Sequence, residues 1–163
     1  MFRSVEQSGV SSGGFLPRYT YTVRNDLFRE AIRTGISKIG PEELFFLLYR
    51  IRPALVAHVV KGMDLGVIKE LLEVRTRRSL EDFASIPIRL KPSICLAFNE
   101  AGNLASRVRH KEAGCSELLI ALLKVCKDEP KINMLIRICN INPAELEREF
   151  IEGNLRPFVR LSA

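Results

Sequence analysis

The same turn residues occur twice in this sequence of 163 residues, in the same order and at nearly the same spacing. Each set consists of a glycine, a proline and an Asp or Asn, and each member stands before or at the start of an apolar segment. The first set is Gly40, Pro53 and Asp64, and the second, about 74 to 78 positions later, is Gly114, Pro130 and Asn142. A self-similar period of this length is the signature of a duplicated structural unit, so we expect two copies of one unit.

Apolar residues between these turns recur at helical spacing. The clearest case spans residues 94–108, where apolar positions fall at i, i+3, i+4 and i+7. The sequence therefore predicts an all-α fold of two four-helix repeats packed as a pseudo-twofold bundle, because docking the repeats buries the apolar face of each. Capping and proline preferences place the helix starts at Asn25 or Asp26, Pro41, Pro53, Asp64, Ser116, Pro130 and Asn142.

The composition changes along the chain in a way that suggests its organisation. The first residues are rich in glycine and serine, which is typical of a flexible tail. Pro87 would break any helix between the two copies. We expect a tail over 1–18, a double-repeat domain over 19–153 (repeat one 19–74, linker 75–89, repeat two 90–153) and a C-terminal tail over 154–163.

The net charge of +6 is high enough to consider nucleic acid as a partner. Most of the lysines and arginines are scattered, and the one dense run is Arg75, Arg77 and Arg78. Such a run in a linker is most often simply solvated, but it could contact an acidic protein surface or nucleic acid. A basic helical nucleic-acid-binding regulator therefore stays open as an alternative function.

The cysteines and histidines do not form a reactive pattern. The four cysteines have no C-x-x-C spacing and are expected in the core, with Cys115, near a helix start, the candidate for a lowered thiol pKa. Neither His58 nor His110 has a Ser, Asp or Cys at a meaningful spacing. We therefore expect a protein that is not an enzyme and needs no metal or cofactor.

We expect no signal peptide, and the sequence contains no apolar run near 18 residues. We expect a protein without a membrane span, in a reducing compartment, since its cysteines show no disulfide framework. The cytoplasm is the simplest location, and the plastid stroma is the alternative because the first 17 residues contain few acids.

Both copies resemble the Clp repeat, which occurs twice in the N-terminal domain of Clp-type AAA+ chaperones. In the second copy, the segment 114–123 is similar to the family's Gly-Thr-Glu-His-Leu-Leu pattern, although the His is absent. In the first copy, Gly40 to Leu44 is similar to the same pattern, and Tyr21 to Arg24 is similar to the family's Phe-Thr-x-Arg opening.

This resemblance implies a module that delivers substrates or adaptors to an unfoldase coupled to a protease. The implied partners are Clp ATPase or protease subunits and their protein substrates. The sequence contains no G-x-x-x-x-G-K-[ST] motif, so no nucleotide is expected to bind. A stand-alone or excised N-domain without the ATPase fits this pattern.

The resemblance also suggests binding residues. Some family members bind phosphoarginine through a Glu and a Thr in each repeat; Glu42 and Thr22 match in the first copy, whereas Ser116 and Lys91 replace them in the second. Without that role, Glu42 would simply be an acid that stabilises a helix N-terminus. A groove between the repeats could hold a peptide, and Tyr21 and Phe83 are expected to flank it.

Overall fold

A computed structural model describes residues 21–77 and 87–153 of the chain. This part is mostly helical, as the sequence predicts, with eight helices and two short strands. In chain order they are α1 (Tyr21–Thr34), β1 (Lys38–Ile39), α2 (Pro41–Ile51), α3 (Pro53–Val59), α4 (Leu65–Leu71), β2 (Arg89–Leu90), α5 (Pro92–Arg107), α6 (Cys115–Val125), α7 (Pro130–Ile138) and α8 (Pro143–Ile151).

Local capping signals explain most of the helix starts. Proline occupies the first position of five of these helices, where its missing N–H costs no intrahelical hydrogen bond. The carboxylate of Asp64 accepts a 2.9 Å hydrogen bond from the N–H of Gly66, and the amide oxygen of Asn142 accepts one of 3.2 Å from the N–H of Glu145. The predicted starts of α2, α3, α4, α7 and α8 are thus confirmed.

Two predicted starts are wrong. Asn25 and Asp26 lie inside α1, which already includes Tyr21. Ser116 is the second residue of α6 rather than its cap, because Gly114 takes the N-cap position. There the side chain of Glu117 does the capping, since it accepts a 2.9 Å hydrogen bond from the N–H of Gly114.

Two central helices, α2 and α6, form the middle of the core. Each is 11 residues long, and they contact each other. α2 also contacts α1, α3, α4, α5 and α7, while α6 packs on α5 and α8. The side chains from Leu44 to Leu48 and from Leu118 to Leu123 are buried. Among the described residues, three large apolar side chains are exposed: Leu96, Ile138 and Val67.

The two strands were not predicted. β1 and β2 pair in parallel, with Lys38 opposite Arg89 and Ile39 opposite Leu90. The N–H of Arg89 donates to the carbonyl of Ser37 at 2.8 Å. This pairing ties the connection between α1 and α2 to the segment that leads into α5.

Candidate protein-binding clefts

The side chains of four of the seven sequence-predicted site residues lie outside the part of the structure that is described. Glu42 is the second residue of α2 and is partly exposed. Tyr21 and Thr22 lie in the first turn of α1, but their side chains, like Phe83 and Arg78, are outside the described part of the structure. The predicted pairing of Thr22 with Glu42 and the groove flanked by Tyr21 and Phe83 therefore stay predictions.

Arg75 and Arg77 line a cleft of about 310 Å³ beside the N-terminus of α2, which we call the α2 cleft. It lies between the α1–α2 connection and the stretch that follows α4. Its lining residues are Gly35, Ile36, Ser37, Lys38, Glu43, Glu73, Arg75 and Arg77.

The stretch with the two arginines is held tightly against α1. The N–H of Arg77 donates a 2.9 Å hydrogen bond to the carbonyl of Thr34. Gly35 has a φ of +73°, and a Cβ there would lie 2.8 Å from the carbonyl oxygen and the Cβ of Arg77. Only glycine combines this backbone conformation with so close an approach. The cleft wall that carries the arginines is therefore fixed by packing.

Glu43, the third residue of α2, brings a carboxylate to the cleft that the sequence analysis did not single out. Its Oε2 is buried and has no hydrogen-bond partner among the described residues. Burial raises the pKa of this carboxyl group. A hydrogen bond with the residue's own backbone and the charges of Lys91 and Lys131 act in the opposite direction, while neighbouring Glu42 raises the pKa further. The cleft thus holds an open hydrogen-bond acceptor.

Three cationic side chains, Lys38, Arg75 and Arg77, line the same cleft. The exposed side chains of Lys38 and Arg77 make no ion pair or side-chain hydrogen bond within residues 21–77 and 87–153. The other carboxylate, that of Glu73, lies 3.0 Å from the Nζ of Lys131. This hydrogen bond, together with the charges of Lys131 and Arg75, lowers the pKa of Glu73. The cleft therefore presents more positive than negative charge to a ligand.

A second cleft, of about 540 Å³, lies at the N-terminus of α6, and we call it the α6 cleft. Its lining residues are Val23, Asp26, Arg52, Leu55, the five residues 109–113, and Gly114, Cys115, Ser116 and Glu117. Like Glu43, Glu117 is the third residue of its helix, but the whole Glu117 side chain is buried, whereas Glu43 is half-buried. Unlike Glu43, it is fully partnered: its Oε1 lies 2.6 Å from Nδ1 of His110, and its Oε2 accepts from the N–H of Gly114.

The thiol of Cys115 in the α6 cleft behaves differently from the sequence-based prediction. Burial raises its pKa to about 11, and the charge of Arg52 only partly opposes this effect. The expected lowering by the helix N-terminus is therefore wrong, because desolvation of the thiolate outweighs it. Cys115 is consequently a protonated, weakly nucleophilic thiol at neutral pH.

The predicted repeat would have been enough to point to Glu43 and Glu117. If Gly40 is placed on Gly114, the two acids coincide at the third helical position, 74 residues apart. The sequence could not show that Glu73, Arg75 and Arg77 line the same cleft as Glu43.

Neither a metal site nor a membrane-spanning helix is found among the described residues. Within residues 21–77 and 87–153, no three histidine, cysteine or acidic side chains converge as a metal site would require. None of the described helices combines the length and apolar character needed to cross a membrane. Neither a protein-family model nor a curated protein matches the sequence.

Proposed function

We propose that this chain is a non-catalytic protein-binding module of the Clp N-terminal type, with α1–α4 and α5–α8 as its two repeats. In this role it recruits substrates or adaptors to a Clp-type AAA+ chaperone-protease, or regulates it. The observation that carries the proposal is the equivalence of the two central helices. The N-cap of α2, Gly40, has φ −106° and ψ −171°, and that of α6, Gly114, has φ −96° and ψ −169°.

The ends of the preceding helices support the same equivalence. After α1, the N–H of Ile36 donates to the carbonyl of Ala31 at 2.8 Å. After α5, the N–H of His110 donates to the carbonyl of Ala105, also at 2.8 Å. Both bonds span five residues and close a helix C-terminus through a left-handed residue, as in a Schellman motif. The two bonds are offset by the same 74 residues as the glycine caps.

Several lining residues of the two clefts are also 74 positions apart in the sequence. The positions 35–38 and Glu43 line the α2 cleft, and the positions 109–112 and Glu117 line the α6 cleft. Two clefts at equivalent positions favour a module that binds other proteins, as the Clp repeats do. Thr22 and Glu42 stay the proposed contacts for a guanidinium group, whereas Ser116 is buried and offers no carboxylate in the second repeat.

The proposed partners are a Clp ATPase or Clp protease subunit and the proteins it degrades. All four cysteines carry free thiols, which supports a reducing compartment such as the cytoplasm or the plastid stroma.

Chemical cross-linking followed by affinity capture of the tagged full chain in its native host tests this proposal. We expect a Clp ATPase or Clp protease subunit to be recovered above the level seen with an unrelated helical protein of equal net charge. A capture that contains neither subunit, at a depth that detects both in the input, would overturn the proposal.

A further inference from the structure

We propose that the α2 cleft is a binding site for acidic peptide segments. This inference rests on the proposed function, because it names the class of polypeptide that one of the two clefts would receive. The argument uses the charges at the mouth of the cleft, the unpartnered acceptor inside it and the rigidity of its wall.

The charges favour a negatively charged ligand. Lys38, Arg75 and Arg77 are exposed around the cleft. Of the two carboxylates, that of Glu73 is already compensated by Lys131 at 3.0 Å. A ligand that brings carboxylates to this mouth gains charge pairs without breaking an ion pair of the described structure.

Glu43 distinguishes a peptide from other polyanions. Its buried Oε2 receives no hydrogen bond from the part of the chain that the structure describes. A buried acceptor without a partner is unfavourable, so a ligand that supplies an N–H is favoured over one that does not. The backbone of a peptide carries an N–H at every residue except proline. A phosphodiester backbone carries no N–H and cannot supply this hydrogen bond.

The dimensions and rigidity of the cleft fit a short segment. A volume of about 310 Å³ lies at the lower end of the range of ligand pockets, so only a few residues of a peptide can enter. The wall formed by residues 75–77 is held by the bond from Arg77 to Thr34 and by its close contact with Gly35. A fixed wall reduces the entropy lost when a ligand binds.

Fluorescence anisotropy with the full chain tests the proposal. The probe is a fluorescein-labelled 12-residue peptide of alternating Glu and Ser, and its Gln-Ser counterpart is the neutral control. We expect the acidic probe to bind at low salt, the neutral probe to bind at least about tenfold more weakly, and affinity to fall as salt is added.

Charge reversal then locates the site. We expect Arg75→Glu with Arg77→Glu to weaken binding of the acidic probe at least about tenfold. The matched control, Lys127→Glu with Arg137→Glu, makes the same change in net charge at exposed positions outside the cleft lining, and we expect less than a twofold effect. Circular dichroism confirms folding, and Lys38→Glu provides a second reversal at the cleft if the double variant unfolds.

Three outcomes would overturn the inference. The acidic probe does not bind, or the cleft and control charge reversals weaken its binding equally. The third is that a 12-nucleotide oligothymidylate binds more tightly than the acidic peptide. The last outcome would favour nucleic acid. The proposed function fails separately, through the absence of Clp subunits in the cross-linked capture, so the two failures are distinguishable.

Discussion

The wall of the α2 cleft packs directly against the backbone of Gly35. Replacing it with alanine adds one methyl group where φ is +73° and where the backbone of Arg77 leaves no room. Gly62 provides a matched control, because its φ is +82° and a Cβ there would meet nothing within 4 Å. Gly35→Ala and Gly62→Ala therefore share the conformational strain and differ in the contact.

The magnitude follows from these two contributions. An L-residue in the left-handed conformation costs about 1–2 kcal/mol, which the smaller entropy of the unfolded alanine chain reduces by about 0.4–1 kcal/mol. We therefore expect Gly62→Ala to lower the free energy of unfolding by about 1 kcal/mol. At Gly35 the Cβ would lie 2.8 Å from backbone atoms of Arg77, and displacing a packed segment costs about 1–3 kcal/mol more. The expected loss for Gly35→Ala is therefore about 2–4 kcal/mol.

Urea and thermal unfolding followed by circular dichroism measure both losses. For a domain of this size, about 2–4 kcal/mol corresponds to a fall in Tm of roughly 6–12 °C, against about 3 °C for Gly62→Ala. Equal losses for the two variants would refute the reasoning, because they would mean that the stretch 75–77 does not press on Gly35. In that case the cleft wall would not be fixed as described.

Three further predictions concern single side chains. Asn142→Ala should lower the free energy of unfolding by about 1 kcal/mol in urea titrations, because it removes the side-chain cap of α8; an unchanged midpoint would contradict the capping role. Burial raises the pKa of Glu43, so the folded chain binds a proton more readily than the unfolded chain and loses stability as pH rises through that range. Glu43→Gln should therefore unfold at a higher urea concentration than the wild type at pH 7. The expected gain in the free energy of unfolding is a few tenths to about 1 kcal/mol and shrinks towards pH 4; a gain that does not change with pH would contradict this. Since burial raises the pKa of Cys115 to about 11, its reaction with a thiol reagent at pH 7.5 should be much slower than that of a free cysteine, and mass spectrometry of the labelled peptides would expose a fast reaction.

The helices could be predicted where their signals are local. Proline at the first position and an Asp or Asn cap lie within one turn of the helix that they start, and both act without tertiary contacts. The start of α1 could not be predicted in this way, because Asn25 resembles a cap yet the helix already includes Tyr21. β1 and β2 were missed for a different reason: two residues carry no periodicity, and their pairing joins Lys38 to a partner 51 positions away.

The α2 cleft also combines features that can be predicted from local sequence with features that depend on tertiary packing. The arginines at 75 and 77 were found as a dense charge run, which is a property of the sequence alone. The alignment of Gly40 with Gly114 could point to Glu43, but that its Oε2 has no hydrogen-bond partner among the described residues depends on how α2 packs. The sequence therefore identified two of the three cations of the α2 cleft, whereas Lys38, the open acceptor and the wall required the tertiary structure.

Glu43 and Glu117 show how one local backbone arrangement supports different chemistry. Glu43 and Glu117 occupy the same helical position behind glycine caps of nearly the same conformation. At the α6 cleft, His110 and the N–H of Gly114 satisfy the carboxylate from within the chain. At the α2 cleft the residue 74 positions before His110 is Ile36, which is buried and offers no polar group, so the acceptor stays open. Because an acid that is already satisfied gains little from a ligand, the first cleft is the one in which a bound peptide would recover an unmade hydrogen bond.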